Sequence, residues 1–129
     1  MKKLNNKGQT LVMFVVLIPL FIMVFALIVD VSYMTHEKIK LENTTKIIIK
    51  EMYEYRLDND IEDRIINLYR KNNIKDNNIK IETNEKYMII SNNYSINSIF
   101  GKVIGLKKYK LKIVIKGYKE NNYIKIVKE

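Results

Sequence analysis

Residues 11–29 read LVMFVVLIPLFIMVFALIV, nineteen positions without a charged side chain, closed by Asp30. The hydrocarbon core of a bilayer needs about 20 predominantly apolar residues in a helix, and this run supplies them. A chain of 129 residues has too little protein to surround such a helix on every face, so a buried core helix is the weaker explanation. A cleaved secretory signal needs a shorter apolar core followed by a small-residue cleavage site. The residues that follow here, Asp30-Val31-Ser32-Tyr33-Met34-Thr35-His36-Glu37, contain no such site. The expectation is a membrane helix over residues 9–30, with Leu11, Phe14, Pro19, Val29 and Asp30 as its defining positions. Proline breaks the interior of a soluble helix, but a membrane helix tolerates it where neighbouring groups satisfy the freed carbonyl. Pro19 therefore predicts a kink near mid-bilayer.

The flanks set the orientation. Lys2, Lys3 and Lys7 precede the span, and Asp30 is the first charge after it. The positive-inside rule then puts residues 1–8 in the cytoplasm as a basic leader and residues 31–129 outside the cell membrane. The net charge of +9 does not oppose this, because long downstream segments translocate largely regardless of charge. From Glu37 to Lys71 eight basic and eight acidic residues cancel, whereas from Asn72 to Glu129 twelve lysines face five acids. The distal half is the basic part.

Beyond the span, Met34, Leu41, Thr45, Ile48, Met52 and Tyr55 recur at helical spacing and predict that the helix runs on as an amphipathic one. Asp58-Asn59-Asp60 predicts a break and an N-cap. Ile61, Ile65, Leu68 and Tyr69 then mark a short second helix ending near Asn72. Asn72-Asn73 and Asn77-Asn78 carry turn chemistry, and the period switches to two. Ile79 to Thr83, Tyr87 to Ile90, Tyr109 to Lys116 and Tyr123 to Lys128 predict four strands, the first two joined by a tight hairpin at Asn84-Glu85. The fold class is α+β: a membrane helix continuing into a long amphipathic helix, a short helix, and a small antiparallel sheet covered by the long helix.

The residues for catalysis are missing. There is no cysteine, so thiolate metal sites and disulfides are excluded. His36 is the only histidine, and no Gly-rich phosphate loop or Ser/His/Asp arrangement exists. The acids from Glu51 to Asp63 lack the spacing of a Ca2+ loop. The expectation is a protein without enzyme activity, metal or cofactor. Lys107, Lys108, Lys110, Lys112 and Lys116, interleaved with Tyr109 and Tyr118, predict a basic strand face. Such a face either solvates the sheet and guards its edge or contacts an anionic polymer such as anionic lipid headgroups, wall polymer or nucleic acid.

Lys7-Gly8-Gln9-Thr10-Leu11-Val12-Met13-Phe14, then Pro19, then Val29-Asp30, resembles the start of TadE/TadG-like proteins, minor pilin-like components of the tight-adherence (Flp, type IVb) pilus system. Phe14 and Pro19 stand at the family's spacings from Gly8, Asp30 matches the acid at the helix's outer end, and Lys40-Leu41-Glu42-Asn43 is similar to a Leu-x-Asn-like element further on. Tyr94 to Leu111 is similar to a distal TadE element in which a short apolar helix leads into a strand. Met13 departs from the pattern, because TadE-like and pilin-like members usually place Glu there. The resemblance implies a pilin-like head, a structural or assembly role, and partners among pilin-like and Tad apparatus membrane proteins. It also implies processing by a prepilin peptidase between Gly8 and Gln9. The rival expectations are a pilin-like module whose basic head captures DNA or anionic polymer, and an unrelated single-span membrane protein.

Overall fold

The computed structural model describes residues 6–74 and 78–129. Helix α1 runs unbroken from Asn6 to Met52, with Pro19 inside it. At 1.5 Å per residue its 47 residues extend for about 70 Å. It serves two environments. The apolar N-terminal part is long and apolar enough to cross a membrane, and none of its most apolar window is buried inside the protein. The C-terminal part buries Leu41, Thr45, Ile48 and Ile49 against the head, so α1 is both the candidate membrane span and one wall of the core.

A 3-10 turn at Tyr53–Tyr55 ends α1, and α2 follows at Ile61–Lys71. The tyrosine that faces inward here is not the one expected. Tyr53 is buried, while Tyr55, the expected last member of the amphipathic stripe, is exposed. Tyr53 follows buried Leu41, Thr45 and Ile49 at successive i+4 spacings, so it continues the inward line of α1, and Tyr55 lies two positions further round. Tyr53 anchors this corner through its hydroxyl, which donates to the Lys86 carbonyl at 2.9 Å and accepts from the Lys119 amide at 3.1 Å. Asp60 does sit at the start of α2, but its side chain makes no capping bond and takes Arg64 Nε at 2.8 Å instead.

The sheet is an antiparallel meander in the order β1-β2-β3-β4, formed by Ile79–Thr83, Tyr87–Asn97, Lys108–Glu120 and Tyr123–Lys128. In the β1–β2 hairpin, Asn84 Oδ1 accepts the Lys86 and Tyr87 amides, both at 2.8 Å. Asn121 and Asn122 turn β3 into β4 with both φ values positive, at 50° and 66°, the left-handed pair that a two-residue hairpin requires. Asn73 and Asn78 are also left-handed, at 57° and 60°; Asn77 lies outside the described residues.

Strands β2 and β3 are longer than their alternation predicts. Tyr94 to Asn97 belong to β2, so the segment resembling a short helix before a strand contracts to a 3-10 turn at Gly101–Ile104. Continuous pairing of Tyr87–Asn97 with Lys108–Tyr118 carries the polar run Ser91-Asn92-Asn93 into the ladder. Asn92 is buried, and its side-chain amide has no hydrogen-bond partner among the described residues.

The core gathers Leu41, Ile48, Ile49 and Tyr53 from the α1 side, Ile65 and Tyr69 from α2, and Met88, Ile90, Ile113 and Ile115 from the central strands. Thr45 and Tyr69 share a hydroxyl–hydroxyl bond of 2.6 Å that joins the two helices. Burial pushes the Tyr69 phenol up to about 12, an effect that its bond to Thr45 only partly opposes. Lys128 of β4 reaches Glu42 of α1 at 2.7 Å, tying the end of the sheet to the helix.

Candidate functional site

Asp30 closes the apolar span in the sequence, and it is 1 % exposed. Its carboxylate is covered by the segment that connects β2 to β3. Oδ1 accepts the amides of Ile99 at 2.9 Å and Phe100 at 3.0 Å. Oδ2 accepts the Gly101 amide at 2.6 Å and the Tyr109 hydroxyl at 2.9 Å. Three consecutive backbone amides form an anion-binding concavity, and here the anion is a side chain of the same protein. No basic side chain pairs with Asp30 among the described residues. Four donors take the place of the water that the carboxylate gives up.

The local sequence makes this approach feasible. A Cβ on Gly101 would fall 2.9 Å from both Asp30 Oδ2 and the Leu106 carbonyl, closer than real Cβ contacts come. Glycine there lets the backbone close over the carboxylate. Ser98 secures the neck of the connection, with its hydroxyl donating to the Leu106 carbonyl at 2.6 Å. Tyr109 reaches Asp30 because it shares the inward face of β3 with Leu111, Ile113 and Ile115.

Asp30 therefore acts as a clamp. It fixes the β2–β3 connection to α1 at the point where the helix leaves its apolar stretch. With its oxygens committed to four donors, the carboxylate has no base chemistry to offer. Among the described residues no group of three or more His, Cys, Asp and Glu could hold a metal ion.

The other sequence-derived positions lie apart from this junction. Leu11 and Phe14 are exposed along α1, at 66% and 53%, and Val29 stands exposed one residue before the clamp. Gly8 and Gln9 occupy the first turns of α1 and are exposed. Lys108, Lys110, Lys112 and Lys116 alternate on the sheet face away from α1, with Val114 among them, and Lys107 precedes the strand. Lys116 Nζ lies 4.6 Å above the Tyr87 ring. Tyr109 does not interleave with these lysines, because strand parity turns it to the opposite face. That same parity was the one sequence signal that could have directed Tyr109 inward; nothing local marks its partner 79 residues away.

Residues 8–46 match the model of a protein family described as TadE-like protein. No curated protein and no solved structure matches the chain. The matched stretch begins at Gly8, includes the whole apolar run and Asp30, and ends within the part of α1 that packs on the head. The likeness to TadE-like proteins covers residues 8–46 of the chain.

Proposed function

We propose that this chain is a minor pilin-like or assembly component of a Tad-type pilus or secretion apparatus. One helix holds it in the cell membrane, with the N-terminus cytoplasmic and residues 31–129 outside. The observation that carries this reading is that the TadE-like segment and the wall of the head's core are one unbroken helix, locked at Asp30. Force or displacement at the membrane is thereby transmitted to the head without an intervening linker. The exposed apolar flank of residues 11–29 associates with apolar helices of other apparatus components, through close packing rather than the hydrophobic effect. The lysine face of β3 offers charge with no arginine on the strand, the pattern of a solvated sheet face.

In this reading a prepilin peptidase removes the leader after Gly8. Lys2, Lys3 and Lys7 supply the basic leader, and the bond to be cut lies in the first turns of α1, where helix ends fray and little unwinding is needed. Met13 offers no carboxylate to the new amine at Gln9, and an unpaired ammonium near lipid is costly. The product accordingly joins the apparatus as a minor component rather than as the repeating filament subunit. Deleting the gene in the native host should abolish or sharply reduce surface pili, and the full chain supplied in trans should restore them; unchanged piliation would contradict the role. The intact mass of protein isolated from the native membrane should lack residues 1–8. A mass that retains them overturns the processing step alone.

A further inference from the structure

The connection held by Asp30 turns its own apolar side chains outward. Ile99, Phe100, Val103, Ile104 and Leu106 are all exposed, and Val103 reaches 81%. A water-facing loop of ordinary composition does not concentrate apolar residues in this way. The segment does not turn away from the membrane helix. Phe100, Val103 and Ile104 line a cleft of about 250 Å³ together with Pro19, Ile22 and Met23 of α1. Ile22 lies eight residues before Asp30, which is roughly 12 Å down the helix axis. The tip of the connection thus reaches alongside the apolar span, well below the residue that marks the span's end.

We infer that residues 99–106 form a second membrane-contacting element, inserted into the leaflet on the head's side of the bilayer, with lipid acyl chains covering the exposed side chains and filling the cleft. The inference rests on α1 spanning the bilayer. The occupant is argued from continuity: the apolar surface of the connection merges with the lipid-facing surface of α1, leaving no polar boundary between them.

The backbone provides a second and independent argument. Non-helical backbone within the hydrocarbon must have its polar groups satisfied by protein. Asp30 takes the amides of residues 99 to 101. The Val103, Gly105 and Leu106 amides donate to the carbonyls of Phe100, Lys102 and Gly101.

Lys102, Lys107 and Lys108 border the apolar tip, and none pairs with an acid among the described residues. Their aliphatic stems let the ammonium groups rise to the headgroups, where anionic lipid attracts them. Asp30 thus gains a second consequence: it fixes the depth of the insertion. A helix and a loop, both in the lipid, resist rotation of the head about the helix axis, which a lone helix does not.

The chain contains no tryptophan, so a single introduced one reports its own surroundings. Val103→Trp, Val16→Trp and Asn122→Trp variants of the full chain are reconstituted in phosphatidylcholine–phosphatidylglycerol vesicles, with and without lipids brominated on the acyl chain. The expected result is that Val103→Trp is blue-shifted and quenched by the brominated lipid to an extent comparable with Val16→Trp, while Asn122→Trp stays red and unquenched. Unquenched, red emission from Val103→Trp beside a quenched Val16→Trp would place the connection in water and overturn the insertion alone. Blue-shifted but unquenched emission would mean that protein, such as a second copy, covers the tip, and would also overturn it. Loss of quenching at Val16→Trp would instead remove the spanning helix on which the inference rests.

Discussion

Asp30→Ala releases the β2–β3 connection from α1. The substitution removes the acceptor for three backbone amides and one phenol in a single step. Amides left buried without a partner are costly, and bonds to a charged acceptor are among the stronger ones. In full-length protein held in nanodiscs, hydrogen-exchange protection of the amides at 99–101 should fall on the order of tenfold or more, while that of the β2–β3 ladder near Ile90 and Ile115 should change little. Asp30→Asn keeps one oxygen acceptor but presents an NH2 group to donors, so its effect should fall between the two. Unchanged protection at 99–101 in Asp30→Ala would show that the connection is held by its own internal bonds.

The second large effect lies in the core. Gly117 of β3 faces α1, and a Cβ placed on it would overlap the Cγ2 of Ile49, a side chain with no exposed surface. Overpacking a well-packed site costs about 1–3 kcal/mol, so Gly117→Ala should destabilise the head by that amount and Gly117→Val by more. Ile49→Ala alone removes a buried side chain and should cost about 2–5 kcal/mol. The two defects are complementary in volume, so Gly117→Ala combined with Ile49→Ala should cost less than the sum of the singles by about 1 kcal/mol. Additive losses in denaturant unfolding would mean that the helix and sheet separate to relieve the overlap and do not meet rigidly there.

Much of this architecture is legible in the sequence, for physical reasons that differ by element. The apolar run is legible because nineteen consecutive positions carry no charge, the length a bilayer-crossing helix needs. The boundaries of β1, β4 and α2 follow from alternation and from Ile61, Ile65 and Tyr69, since α2 buries one face and the two edge strands half-bury theirs. Where the reading fell short, long-range pairing had overridden local pattern. Ser91-Asn92-Asn93 has the composition of a turn, yet β3 holds it in register. Tyr55 follows Met52 at helical spacing, but the buried line runs through Thr45, Ile49 and Tyr53, and Tyr55 falls outside it. The Asp30 clamp had no local signature: an acid after an apolar span is ordinary, and its donors come from 69 to 79 residues further along the chain. Gly101 was the one nearby clue, and a glycine in an apolar connection has many explanations.

Because the chain has no cysteine, its topology can be read with single introduced thiols free of background. In cells with the cytoplasmic membrane intact and the outer layers opened, a membrane-impermeant maleimide should label Asn122→Cys at once. Thr10→Cys, at the opposite end of the span, should be labelled only after detergent permeabilises the membrane. Labelling of Thr10→Cys in intact membranes, with Asn122→Cys protected until detergent is added, would contradict a single helix that carries its head to the outer side.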